Sequence, residues 1–268
     1  MKSSNRWINV APLGLLLLAL IGLTAKNYSA TSLALVVASV ALFLSAWWSA
    51  LHLLGIHNTR LFAGLGVTLG WFAEQMGSSR GWFFGRYTYT DVLGPRLGDV
   101  PWVIALMWFA LCFIGYCLAN LILWRTPDAA NKSLSQKCLI ALLAAMLVTA
   151  FDLGADPYFV FVLKAWVMQK TDGGWFGETL QGFAGWMLIS FVIVLTFQYL
   201  RRDAPSNTSQ PRLKYIAAIP IALYASGMLF QMVFGHPIET RAVALFAMGI
   251  PILAATVAWW LWQKDRQI

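Results

Sequence analysis

Eight apolar runs recur along this 268-residue chain, at 9–25, 31–54, 61–76, 101–124, 138–153, 184–200, 215–234 and 241–262. A helix needs about 20 largely apolar residues to cross the hydrocarbon core of a bilayer. Inside that core only helices and closed barrels satisfy their own backbone groups. The expected fold is therefore all-α: a multi-pass transmembrane helical bundle of about 7–8 spans, forming a single integral-membrane domain over 1–268. The first run, Val10 to Ala25, reads as a retained helix rather than a cleaved leader, because no clear small-x-small site follows it.

Composition narrows the class further. Only 11% of residues are charged, against about 25% in soluble domains, and 59% are hydrophobic. The basic excess, 19 Lys and Arg against 11 Asp and Glu, does not imply nucleic acid, because membrane proteins concentrate such residues in cytoplasmic loops. With the N-terminus inside, 12 fall on the inner side and 7 on the outer. The chain is therefore expected in the cytoplasmic membrane, with both termini cytoplasmic. Cys112, Cys117 and Cys138 have no metal or disulfide spacing.

Two connections differ from the rest. Residues 77–100 and 154–183 are long, aromatic and Gly-rich, and long ordered loops are usually functional. Pro157 to Lys170 is apolar but too short to span, so it is expected to form an interfacial or re-entrant helix. GWFFG at Gly81–Gly85 and GWFG at Gly174–Gly177 echo each other.

Acidic residues are scarce, so their positions carry information. Glu74 lies in the third run, where an ionisable residue is costly and marks a functional site by default. Gly66, Gly70 and Glu74 are four apart and share one helix face. A Gly-x-x-x-Gly face packs closely on a neighbour, which turns Glu74 into the bundle. Asp152 and Asp156, also four apart, would share a face as a paired carboxylate. Asp156 has a plainer reading as the cap of a helix starting at Pro157. Tyr87, Tyr89 and Asp91 alternate and point the same way if extended. Trp166, Trp175, Phe183 and Trp186 follow in the second loop and the helix after it. Any one of these aromatics could equally belong to an interfacial belt.

Three histidines are too few for the multi-histidine di-iron site of a membrane hydroxylase. The glycines at 64, 66 and 70 do not have dinucleotide spacing. What remains is carboxylates, tyrosines and aromatic walls. No cofactor and no metal is expected.

The first block, Glu74 followed by GWFFGRYTYTDVLGPRLGDVPWVIALMW, and the second, DLGADPYFVFVLKAW with GGWFGETLQGFAGW, resemble the membrane-bound carotenoid biosynthesis family. That family contains the carotenoid 1,2-hydratases, of the γ-carotene 1'-hydroxylase and bisanhydrobacterioruberin hydratase type. The likeness covers about residues 50–200 and departs at Met168, Glu178-Thr179 and Gly182. It implies a cofactor-independent hydro-lyase that adds water to the terminal C1=C2 bond of an acyclic ψ end group. A carboxylic acid would protonate the alkene, and water would capture the tertiary cation. The implied substrate is a lycopene- or γ-carotene-like carotenoid, met in the lipid bilayer beside other enzymes of the pathway. On this resemblance Glu74, Asp91, Asp152 and Asp156 are the catalytic candidates, with the acid and base roles open between them. Tyr87, Tyr89, Trp166, Trp175, Phe183 and Trp186 are the candidate substrate contacts. A carotenoid cyclase sharing the protonation step, a lipid-binding or proton-coupled transporter, and a non-catalytic scaffold are the rival readings.

Overall fold

A computed structural model describes residues 28–129, 132–202 and 213–264. The expected span at 9–25 lies outside the described residues. Six helices account for most of the rest: α1 (Tyr28–Arg80), α2 (Trp102–Trp124), α3 (Leu134–Pro157), α4 (Leu180–Leu200), α5 (Leu213–Phe234) and α6 (Glu239–Lys264). All six have the length and hydropathy to cross a membrane, and this is a membrane protein. α1 is broken at Gly55, which takes φ 77° and ψ 163°, a backbone state that glycine adopts without a Cβ clash. The two legs of α1 run back on one another. Ser39 on the first leg bonds to Met107 of α2, and Gly70 on the second abuts the adjacent Trp108. The expected runs at 31–54 and 61–76 are thus the two legs of one kinked element.

Most of α2 is buried, and the other helices pack round it. Small residues set the spacing. A Cβ at Gly66 would lie 2.7 Å from the Phe109 backbone, and one at Gly70 would lie 2.3 Å from Cγ of Trp108. A Cβ at Gly115 would likewise lie 2.8 Å from the Ala144 carbonyl oxygen of α3. Such contacts are how helices associate where lipid is as apolar as the side chains. At one end of the bundle, Arg201 and Tyr116 both bond to Asp128, with Arg201 Nη2 donating to Asp128 Oδ2 at 2.8 Å. Asp128, half-buried, therefore clasps α4 to the chain after α2.

The two long loops meet at the opposite end. Strand β1 (Tyr87–Tyr89) pairs antiparallel with β4 (Trp166–Met168), with Tyr89 opposite Trp166. Between them in sequence, β2 (Arg96–Leu97) and β3 (Val100–Pro101) form a small hairpin leading into α2. Pro157 to Lys170 is not a separate interfacial or re-entrant helix. α3 continues through Asp156 to Pro157, passes into a π-helical turn at Tyr158–Val162, and then gives the extended strand β4. Nor does Asp156 cap a new helix. Proline removes one donor and frees one carbonyl four residues back, here that of Leu153. Trp175 Nε1 fills that place at 2.9 Å. Pro220 in α5 is accommodated in the same way, because the Ile216 carbonyl it frees accepts from Ser49 at 3.1 Å. With a side-chain donor available for the freed carbonyl, the helix has no reason to stop at the proline.

Candidate functional site

Glu74 stands near the end of α1, one turn beyond Gly70, on the face packed against α2. It is 4% exposed. Three donors reach its carboxylate. Trp108 Nε1 bonds to Oε1 at 3.0 Å, Tyr89 donates to Oε2 at 2.8 Å, and Tyr87 also donates to Oε2. The alternation in β1 explains the two phenols, since residues two apart on a strand share a side. Burial, and then the negative charge of Glu74, push both tyrosines well above their ordinary range. They stay protonated and act as donors. Both carboxylate oxygens of Glu74 are thus occupied by protein.

Asp91 departs from that alternation. Thr90 caps a short 3-10 helix at Asp91–Leu93, which turns the chain away. Asp91 is 90% exposed in its side chain and pairs with Arg96 at 2.6 Å. The strand reading fails at this residue because the strand has already ended, and Asp91 is not brought to the other acids.

Asp152 and Asp156 share one face of α3 and line a cavity of about 130 Å³ at the junction of α1, α2, α3, α4 and α5. Among its lining residues the ionisable ones are Asp152, Asp156 and Tyr224; the remainder are largely aliphatic and aromatic. Trp166, Trp186 and Phe159 form an aromatic wall. Trp166 stacks on Phe159 at 5.6 Å, and Trp186 stacks on Trp108 at 4.3 Å. Through Trp108, and through the edge contact of Tyr89 with Trp166 at 5.8 Å, the Glu74 cage sits directly behind this wall. Glu74 itself does not line the cavity.

A further acid joins the pair. Glu178 is 2% exposed and hydrogen-bonds to Asp156. It arrives on a tight turn closed by bridges between Gly173 and Gly177 and between Trp175 and Glu178. Phe176 and Gly177 both hold positive φ there. Burial raises Glu178 above the usual carboxylate range, and the bond to Asp156 opposes that rise. Ionised carboxyls only accept, so a bond between two of them requires one shared proton. Asp152 Oδ2 and Glu178 Oε1 are buried and have no hydrogen-bond donor among the described residues.

Four of the expected contacts are absent from the lining of this cavity. Tyr87 and Tyr89 face Glu74, Trp175 ties its turn to α3, and Phe183 is buried against Trp175 at 6.4 Å. Trp166 and Trp186 do line it. Sequence reasoning passes over Trp108, and it counts Glu178 among the acids of the two long loops without giving it a role. Trp108 sits in a continuous apolar run, where a tryptophan looks like any other span residue. Glu178 sits in a Gly-rich loop, and its burial depends on a turn whose shape no local pattern reveals. Among the described residues no group of three or more His, Cys, Asp or Glu side chains is arranged as metal ligands.

Comparison with known proteins bears on what such a site does. The family described as "Carotenoid biosynthesis protein" matches residues 30–264. A bisanhydrobacterioruberin hydratase from Haloarcula japonica is 34% identical over 127 residues, which is 47% of this chain and 40% of that protein. The chain thus matches less than half of that relative's length. No solved structure matches.

Proposed function

This chain belongs to the carotenoid biosynthesis protein family, and from that premise we propose that it is a hydratase of acyclic carotenoid end groups. The observation that carries the proposal is an apolar cavity with two carboxyls, Asp152 and Asp156, set into one wall. Hydrating a trisubstituted alkene takes one acid to protonate the less substituted carbon and one base to take a proton from the attacking water. Paired carboxyls divide those roles when their surroundings differ. Asp156 has a hydrogen-bonded carboxyl partner and Asp152 has an unpartnered oxygen, so their surroundings do differ.

Cavity size supports action on the end of a chain. An apolar cavity of about 150 Å³ takes a benzene-sized group; about 130 Å³ suits a branched terminal unit, with the rest of the polyene reaching into the bilayer. Trp166, Trp186 and Phe159 present ring faces to that unit. Each aromatic face stabilises a nearby cation by about 0.5–2 kcal/mol, which favours the tertiary carbocation over the neutral alkene. Glu74 holds Trp108, Tyr87 and Tyr89 in place behind the wall and acts through them. The basic residues at 125, 132, 137, 201 and 202 lie at the end away from the cavity. With the positive-inside bias, this supports a site toward the outer face of the cytoplasmic membrane.

Expression in a host that accumulates lycopene, followed by mass spectrometry of the pigments, tests the proposal. A product heavier by one water is expected. No hydrated product from any acyclic precursor overturns it, and a new product of unchanged mass would favour cyclisation.

A further inference from the structure

We propose that Asp152 and Glu178 together bind the water molecule that is added, as a site distinct from the cavity that takes the alkene. The inference rests on the hydratase reading and assigns the second substrate of that reaction a place. Three observations lead to it. Asp152 Oδ2 and Glu178 Oε1 are both buried and both lack a donor among the described residues. The turn that carries Glu178 is anchored beside Asp152, because Trp175, paired with Glu178, donates to the Leu153 carbonyl of α3 at 2.9 Å. Asp152 also lines the apolar cavity, so a water held by this residue stands beside the alkene. Unpaired buried acceptors are costly, and a small molecule with two O–H donors satisfies two acceptors at once. Water is that molecule, and the reaction consumes it.

The assignment also orders the chemistry. Asp156, bonded to Glu178, holds the proton of the pair and gives it to C2 of the end group. The Asp156 O–H bond breaks and the alkene π pair forms the new C2–H bond, leaving the cation at C1. The water held by Asp152 and Glu178 then donates a lone pair to C1. As its C1–O bond forms, one of its O–H bonds breaks and that proton passes to Asp152. Glu178, which bonds to Asp156 and interacts electrostatically with Asp152, carries the proton back to Asp156. No oxidant, reductant or outside proton is needed, and the site ends as it began.

Glu178 is thus required for capture of the cation, whereas a cation that loses its proton back to Asp156 needs no return path through Glu178, which gives an experiment with separable readouts. Purified protein in detergent is incubated with an acyclic carotenoid in D₂O. Hydrated product measures capture. Deuterium in recovered or double-bond-shifted carotenoid measures protonation followed by loss of a proton. For Glu178→Leu, hydration is expected to fall by at least about tenfold, the scale of a lost bond to a charged group. Deuterium exchange is expected to persist, so the ratio of exchange to hydration rises. Glu178→Gln keeps the bond to Asp156 and one acceptor, and is expected to lie between wild type and Glu178→Leu. If Glu178→Leu fails to fold, as melting would show, the Gln variant carries the test by the same ratio. An unchanged ratio in a folded variant overturns the water site. Wild type that neither hydrates nor exchanges overturns the hydratase reading instead.

Discussion

Glu74, which is buried, and the pair of buried Asp152 and half-buried Asp156 lie at the same end of one bundle, yet they are equipped in opposite ways. Glu74 accepts from Trp108, Tyr87 and Tyr89, so both of its oxygens are filled by protein. Asp152 keeps an oxygen with no donor among the described residues, Asp156 leans on a third acid, and both face a cavity. A carboxyl surrounded by donors is fixed in place and unavailable to a substrate. A carboxyl with unmet hydrogen-bonding capacity is costly to fold but can exchange protons. Rarity of acids in a membrane protein signals importance; on the proposed function, the number of donors each one meets separates framework from chemistry.

That contrast breaks most visibly in activity. Asp156→Asn keeps the size of the side chain and removes the acid, so turnover is expected to fall about 10³-fold, within the usual range for a general acid. Its melting temperature should stay near that of wild type. Turnover of the carotenoid and thermal unfolding in the same detergent measure both. A destabilised but active Asp156→Asn would reverse the assignment of roles.

Glu74→Leu should show the opposite pattern. It strands three buried donors, each costing about 1–3 kcal/mol, and the variant is expected to unfold several degrees lower or fail to accumulate. Glu74→Gln, which retains an acceptor, is expected to recover most of the stability and a substantial part of the turnover. If Glu74→Gln instead melts normally and is inactive, Glu74 is a reacting group.

Gly70→Ala sharpens the comparison at smaller scale. Its Cβ would fall 2.3 Å from Cγ of Trp108, and overpacking of this kind costs about 1–3 kcal/mol. Because Trp108 links Glu74 to Trp186, a shift in tryptophan fluorescence should accompany the loss of stability. The same change at Gly64, which has open space around its Cβ position, should be close to neutral.

The sequence makes part of this arrangement readable. Four-residue spacing places Gly66, Gly70 and Glu74 on the face that meets α2, and two-residue spacing aims Tyr87 and Tyr89 together. Both are local periodicities of a single element, set by backbone geometry alone. The end of α3 is harder. A proline at 157 argues for a boundary, and the argument fails because a tryptophan 18 residues later supplies the missing bond. Glu178 is hidden for the same reason. Its burial comes from a turn docking on a helix, and tertiary pairing leaves no period in the chain. Asp91 misleads in the other direction, since alternation continues in the letters after the strand has stopped.

The freed carbonyl at Leu153 has one more consequence. Trp175 holds it only because residue 157 has no hydrogen on its nitrogen. Any other residue at that position would bring its own N–H to Leu153, in helical register and at no cost in loop order, and would compete the indole away. Pro157 therefore works as a reservation. It keeps a backbone acceptor vacant inside a regular helix so that a distant turn can dock there and present Glu178 where it closes. Pro157→Ala would be expected to improve the helix while loosening the turn, giving a protein that melts no lower but hydrates more slowly, measurable by unfolding and turnover on one preparation. In this corner of the fold, a hydrogen bond left out of the helix is what brings the third acid to the other two.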